Sequence, residues 1–458
     1  MPNLIQQLQA LLGDSEVLLG EDVRARSSHW QGGHTDAKAV LRPNSSAQVS
    51  AIMKLCHGAG QSVVVQGGKT GLVEASLSSV NDIVISMERM NKIVDVDRQS
   101  RTMTVEAGVP LQLIQEAAAE ADLQYPMDLG ARGSATIGGN IATNAGGNRV
   151  IRYGMTRHLI LGLEAVLADG TVISSMSKVL KNNAGYDLKQ LFIGTEGTLG
   201  TVTQAVLKLS PAQHSENTAL LALEKFEHVT ELLHFVDRAF GGHLSSFEVM
   251  WNNYFQYTTA NNAFGKNAPM SRDHSFYVLL ETQGTQSEAD REQFEQVLAE
   301  AMESAGVVDA VLCKSNSERE ALWAIRDNIE AMSVVKPVFY FDISLPIDQM
   351  AEYLTVAEAD LKMEWPDMHY AVFGHIGDGN IHIIASIGTD DKEARFRFDD
   401  ILYRHLASRG GSISAEHGIG LEKKPFLHYS RSPEEIALMQ TLKQALDPKN
   451  LLNPGKIF

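Results

Sequence analysis

The chain has 458 residues, of which 44% are hydrophobic and 21% charged, a balance typical of soluble globular domains that excludes collagen-like, disordered and membrane-spanning chains. This length calls for two or three domains rather than a single core. A formal net charge of -17 argues against a nucleic-acid partner, because a phosphate backbone needs concentrated Lys and Arg.

The chain begins Met-Pro-Asn-Leu-Ile-Gln-Gln-Leu, without the basic start and apolar run of a signal peptide, and the expected location is the cytoplasm. Residues 45–60 open with Ser45 and Ser46, carry Val49, Ile52, Met53 and Cys56 at helical spacing, and end at Gly58 and Gly60, which predicts a helix. A strand over Val63–Val65 follows, then short strand-like runs at 82–86, 92–97 and 102–106 and a helix pattern at 111–121. Residues 161–168 and 171–174 flank Asp169-Gly170, a favoured hairpin turn. Beyond Pro211 the texture changes to longer amphipathic helices, such as 226–240 and 348–363, separated by strands such as 276–281 and 370–373. The fold class is α+β, with a second α+β domain expected over 214–410 and a C-terminal segment over 411–458. Cys56 and Cys313 are the only cysteines, too few for a disulfide framework or a Cys-rich zinc cluster, and both read as buried hydrophobes.

Three glycine-rich stretches carry the first chemical signal. Gln66-Gly67-Gly68-Lys69-Thr70-Gly71-Leu72 follows directly on a strand, where small residues let several amides converge on a phosphate. It is not a Walker A loop, because the required partner glycine would fall at Val63, and no GxGxxG for a nicotinamide cofactor joins a strand to a helix. Taken alone it fits a tight turn equally well. The second stretch runs from Gly133-Ser134 through Gly138, Gly139 and Asn140 to Thr143, Asn144, Gly146 and Gly147, and the third is Gly194-Thr195-Glu196-Gly197-Thr198-Leu199-Gly200. Both combine small and polar residues in a manner suited to cradling a cofactor.

With the C-terminal Asn453-Pro454-Gly455-Lys456, these stretches resemble the flavoprotein superfamily that includes vanillyl-alcohol oxidase, and within it the D-2-hydroxyglutarate and D-lactate dehydrogenases. The resemblance covers nearly the whole chain. It implies a two-subdomain FAD-binding domain of the p-cresol methylhydroxylase type over 1–213, a substrate (cap) domain over 214–410, and a C-terminal segment returning to the FAD domain. It further implies that Gly67, Gly68, Lys69, Thr70, Gly71, Leu72, Gly133, Ser134, Gly138, Asn140, Thr143, Asn144, Gly147, Glu196, Gly197 and Asn453 line FAD. Gln66 and Lys69 stand where relatives usually carry Arg and Gly, and Glu74 and Ala75 replace two common glycines. Some relatives bond the flavin to a His in the first loop; this loop has none, so FAD is expected to be held without a covalent bond.

The sharpest signal is Gly374-His375-Ile376-Gly377-Asp378-Gly379-Asn380-Ile381-His382, with Ala415-Glu416-His417-Gly418 further on. A strand, a tight turn and a second strand would bring His375 and His382 together, and two imidazoles with the Glu416 carboxylate make a three-ligand site that leaves positions open for substrate. The alternative is two packed histidines and a surface acid. In the resembling family the matching His, His and Glu bind a divalent metal; zinc is expected first, and manganese or iron suit the same ligands. Asp378 in its Gly-Asp-Gly turn is expected to bond its own backbone rather than the metal.

Oxidation of a 2-hydroxy acid needs a base, an electrophile at the hydroxyl oxygen and a hydride acceptor. His417 is expected as the base, the metal as the electrophile and FAD as the acceptor. Arg326 matches the family's substrate-carboxylate clamp, although an Arg on an amphipathic helix is more often a solvated charge. Tyr340 stands where a Lys meets the distal carboxylate of D-2-hydroxyglutarate, Glu330 where a Thr stands, and Ile384 where an Asn stands; Asn380 is taken with them as lining the substrate. An apolar group and an acid disfavour a second substrate carboxylate, which points to D-lactate or a longer apolar D-2-hydroxy acid, with D-2-hydroxyglutarate as the alternative. An electron-transfer flavoprotein, a quinone or a cytochrome would accept the electrons, and the resemblance implies a homodimer. Competing classes are a metal-dependent hydrolase and a non-catalytic flavin-binding subunit.

Overall fold

The computed structural model describes residues 2–30, 32–260 and 268–458, which divide into two compact units. The first comprises the chain up to Gly147, Gly154–Ala212 and Glu416–Phe458; the second comprises Asn148–Tyr153 and Gln213–Ala415.

The first unit holds two principal sheets. In one, Ala39–Leu41, Ile83–Ser86 and Val63–Gln66 run parallel, with Val17–Leu18 antiparallel at the edge. The helix Ser46–Ala59 supplies the crossover: the Ser45 side chain accepts from the Gln48 N–H at its start, and Gly60 ends it in the left-handed conformation. The other sheet is antiparallel, ordered Ile93–Asp97, Thr102–Glu106, Thr201–Lys208, Ile160–Val166, Val172–Ser175. Its last two strands form the hairpin that Asp169-Gly170 predicts, with Val166 opposite Val172 and the Asp169 carboxylate accepting from the Thr171 N–H at 2.8 Å. One core joins the two sheets, since Val63, Ile83, Met103, Val105 and Ala205 belong to a single buried cluster. Each of the Val, Ile and Met side chains contributes about 1.5–3 kcal/mol by leaving water.

The second unit is built on a seven-stranded antiparallel sheet, ordered Val307–Leu312, Ser215–Leu223, Phe276–Gly284, Leu244–Trp251, His369–His375, Asn380–Ser386, Phe339–Ser344. Helix Phe226–Phe240 buries Phe226, Val229, Leu232, Leu233, Val236 and Phe240, the i+3/i+4 stripe of an amphipathic helix, and Gly241 closes it at φ 56°. The helix expected from residue 348 begins at Met350, because Ile347–Gln349 takes one tighter 3-10 turn first. Segment 148–153, inside the range expected for the FAD-binding domain, groups with this second unit. The Asn148 carbonyl accepts from Ser246 Oγ at 2.7 Å, and Arg152 Nη1 donates to the Gln283 carbonyl at 2.6 Å.

Candidate active site

In the first unit the glycine-rich stretches meet around a cavity lined by Val65, Gly67, Thr136, Gly138, Gly139, Glu196, Gly197, Thr201 and Asn453. Gly67 and Gly68 face the second stretch so closely that a Cβ on either would strike Thr136 Oγ1 or the Ser134 carbonyl. Within the cavity wall, Thr136 Oγ1 and Thr201 Oγ1 are buried with no hydrogen-bond partner, and nearby Asn140 Oδ1 is too. Buried polar atoms in this state cost free energy unless a ligand meets them, so the cradle suits a polar group such as the pyrophosphate or ring edge of a dinucleotide.

Four of the expected cofactor residues hold left-handed backbone without being glycine: Lys69 (φ 57°), Asn144 (φ 49°), Glu196 (φ 50°) and Asn453 (φ 41°). Such strain concentrates at functional sites and persists only where surrounding bonds enforce it. Those bonds are present. Lys69 Nζ donates to the Ser27 carbonyl at 2.8 Å, and burial, followed by the Arg26 charge, pulls its pKa below the usual lysine range. Asn144 Oδ1 accepts from the Arg157 N–H at 2.9 Å. Glu196 accepts from the N–H groups of Ile419 and Gly420 at 2.7 and 2.8 Å, while burial, outweighing these bonds, raises its pKa. Asn453 accepts from the Val65 N–H at 2.9 Å and donates to the Glu196 carbonyl at 2.5 Å. The side chains of Asn144, Glu196 and Asn453 thus hold the cradle's backbone in shape, as does Thr143, whose hydroxyl donates to the Gly139 carbonyl at 3.2 Å. Gly133 lies beside Gln112 Oε1, and Gly147 takes φ 134° against the Asp128 carbonyl. Ser134 donates its N–H to the Ala131 carbonyl at 2.9 Å. Thr70, Gly71 and Leu72 continue the first loop outside regular structure.

In the second unit His375 ends one strand and His382 lies near the start of the next, their rings 5.2 Å apart between centroids and nearly perpendicular. The turn between them is a 3-10 turn over Ile376–Asp378 closed by Gly379 at φ 86°. Gly374 permits the tight return, because a Cβ there would strike the Asn380 carbonyl. Arg326 is not a solvated charge. It ends helix Asn316–Arg326 and is 7% exposed, with Nε donating to Glu248 Oε2 at 2.8 Å and Nη2 lying 3.1 Å from His375 Nε2. Glu248 Oε1 is 2.6 Å from His375 Nδ1. Burial opposes both charges, yet the Glu248 and Asp327 carboxylates raise the Arg326 pKa, and His375 and Arg326 lower that of Glu248.

Glu248 and its counterpart Asp342 join the site without having been expected from the sequence. Asp342 is fully buried opposite His382 in register and accepts from Asn380 Nδ2 at 2.8 Å and from the Ala415 N–H at 3.1 Å. Glu416 packs against Gly146, where a Cβ would displace its carboxylate. Asn380, expected at the substrate, gives its amide to Asp342 and to the Ile343 carbonyl, while its Oδ1 is buried with no partner. Tyr340 and Ile384 pair across adjacent strands on the face that also carries Asp342 and His382. Burial, with the Glu330 carboxylate adding to it, raises the Tyr340 pKa.

Residues 212–457 match the family of FAD linked oxidases, C-terminal domain, and residues 37–175 match an FAD binding domain. The chain belongs to the FAD-linked oxidases. A D-2-hydroxyglutarate dehydrogenase of Xanthomonas citri pv. viticola is 40% identical over 428 residues, spanning 92% of this chain and 89% of that protein. The mitochondrial D-2-hydroxyglutarate dehydrogenase of Arabidopsis thaliana is 35% identical over 458 residues, spanning 99% and 81%. Among solved structures, substrate-bound p-cresol methylhydroxylase superposes with a TM-score of 0.76 at 16% identity, covering 99% of this chain and 96% of that one, a likeness of fold. Membership in the FAD-linked oxidases identifies the cavity of the first unit as lying in an FAD-binding domain, and it leaves no ground for reading the chain as a hydrolase.

Proposed function

We propose that this chain oxidises a D-2-hydroxy acid to the 2-oxo acid, with FAD held non-covalently and a divalent metal held by His375, His382 and Glu416. The observation that carries the reading is the 3.1 Å separation of Arg326 Nη2 from His375 Nε2. A 2-hydroxy acid bears its carboxylate and hydroxyl on adjacent carbons, so a cation for the first and a Lewis acid for the second must be neighbours. Arg326 is buried, with Nε held by Glu248, Nη1 donating to Asp327 Oδ1 at 3.2 Å and Nη2 beside His375 Nε2, and a substrate carboxylate would meet its planar fork on the histidine side. When bound, the metal supplies a Lewis acid that lowers the pKa of the hydroxyl. His417 takes the hydroxyl proton, imidazole being suited to proton transfer near neutrality. When bound, FAD supplies the acceptor for the C2 hydride, and the backbone of the Gly67–Leu72 loop and the 133–147 run holds it. Zinc is the first choice of metal, and manganese or iron fit the same donors. Reoxidation falls to an electron-transfer flavoprotein, a quinone or a cytochrome.

Tyr340 and Ile384, with Glu330 acting on Tyr340, favour an apolar substrate side chain, as in D-lactate or a longer homologue. A second reading, D-2-hydroxyglutarate, draws on the names of the relatives. Dye-coupled turnover of D and L enantiomers, before and after metal stripping, tests the proposal. D-specific, metal-dependent turnover is expected; equal rates with both enantiomers or full activity in stripped protein would count against it.

A further inference from the structure

Two buried carboxylates bracket the histidine pair across neighbouring strands of the seven-stranded sheet. Glu248, on strand Leu244–Trp251, is registered opposite His375, and Asp342, on strand Phe339–Ser344, opposite His382. Glu248 is the more telling of the two. It is 1% exposed in a strand whose other residues are apolar or small, a position where a carboxylate survives only with full compensation. Its two oxygens go to groups with different tasks: Oε1 lies 2.6 Å from His375 Nδ1, and Oε2 accepts from Arg326 Nε at 2.8 Å.

The first contact places the imidazole proton on Nδ1 and makes Nε2 the acceptor nitrogen, met by Arg326 Nη2 and suited to ligate a metal in its place, the tautomer that an outer carboxylate enforces on a ligating histidine. The second contact grips the guanidinium by its Nε edge and turns the other edge toward His375 Nε2, where Nη2 sits at 3.1 Å. One carboxylate therefore fixes the bearing of a metal ligand and of a substrate clamp at once. The strand register leaves Glu248 little room to serve one without the other.

We propose that Glu248 is a positioning residue that sets both the tautomer of His375 for metal binding and the orientation of Arg326 toward the substrate carboxylate. The proposal rests on the reading of His375 and His382 as metal ligands. Glu248→Gln is the incisive substitution, because it preserves volume while its single oxygen can serve only one of the two donors and its NH2 opposes the other.

The test uses the full-length flavoprotein. Chelator-stripped wild type, E248Q, Glu248→Asp and His375→Ala are titrated with zinc against a chromophoric competitor, and side-chain ¹⁵N spectra of the stripped proteins report the histidine tautomer. We expect zinc affinity to fall about 10- to 100-fold in E248Q with flavin content unchanged, His375 to lose its pure Nδ1–H form, and KM to rise with it. E248D keeps the charge but is one methylene too short to reach His375 Nδ1 and Arg326 Nε together, and it is expected to fold and show the same weakening, so it supplies the answer if E248Q does not fold. Zinc binding within twofold of wild type in the folded variants, with His375 still protonated on Nδ1, would overturn the role of Glu248. A wild type that binds no metal, or H375A that binds it as tightly as wild type, would overturn the metal reading and the proposal with it.

Discussion

Asn453 Oδ1 accepts the backbone N–H of Val65 at 2.9 Å, a bond between residues 388 positions apart in the chain. The same side chain donates to the Glu196 carbonyl, so the C-terminus fastens a strand end to the third glycine-rich loop. Asn453→Ala leaves two backbone groups unpaired, at about 1–3 kcal/mol each. We predict a lowered melting temperature and loss of flavin on gel filtration, followed by thermal fluorescence and by the 450 nm absorbance of the eluted protein.

Arg326 and Glu248 are a buried ion pair, and removing one partner strands the other. Arg326→Ala should therefore destabilise the fold by about 3–5 kcal/mol, measured by denaturant titration. Arg326→Lys should fold better yet still raise KM at least about tenfold, because a point charge does not reproduce the planar fork. An unchanged KM in the lysine variant would remove Arg326 from the substrate site.

Substrate choice is expected to follow Glu330, Tyr340 and Ile384. Replacing them by Thr, Lys and Asn, the residues that resembling D-2-hydroxyglutarate dehydrogenases carry, should shift the kcat/KM ratio of D-2-hydroxyglutarate over D-lactate upward by about tenfold or more, the value of one compensated charge. A ratio that does not move would place substrate recognition elsewhere.

The cysteines give a prediction about pH. Burial pushes the Cys56 thiol up to about 12, and burial together with the Glu318 charge pushes Cys313 up to about 11. A raised thiol pKa means less thiolate at any pH below it, so at pH 8 both carry far less than an ordinary thiol, about a thousandfold less for Cys56. Iodoacetamide should label neither within minutes in native protein and both after unfolding, read by intact mass. Rapid native labelling of Cys56 would contradict its burial.

Local signals carried much of the architecture in the sequence. Ser45 and Gly60 bracket the first crossover helix because caps act within one turn, and the Gly-Asp-Gly-Asn turn announced that His375 and His382 would meet. What escaped depended on distant partners. Segment 148–153 falls inside the range expected for the FAD-binding domain and joins the second unit through bonds from Ser246 and to Gln283. Arg326 is expected at the substrate, but the partners that draw it inside, Glu248 at 78 positions and His375 at 49, leave no sign on its own helix. A trace of Glu248 and Asp342 was nevertheless present: each is the single acid in an otherwise apolar or small strand, Leu-Ser-Ser-Phe-Glu-Val-Met-Trp and Phe-Tyr-Phe-Asp-Ile-Ser. A lone acid in such a setting requires a buried partner.

The most direct test of the account is the visible spectrum of the purified flavoprotein, recorded anaerobically with D-lactate, D-2-hydroxyglutarate and a longer apolar D-2-hydroxy acid, before and after metal stripping. We predict that a D-2-hydroxy acid bleaches the flavin band, that stripping abolishes the bleaching, and that added zinc, manganese or iron restores it. A metal-loaded flavin that none of the three acids reduces, or one reduced equally well after stripping, would contradict it.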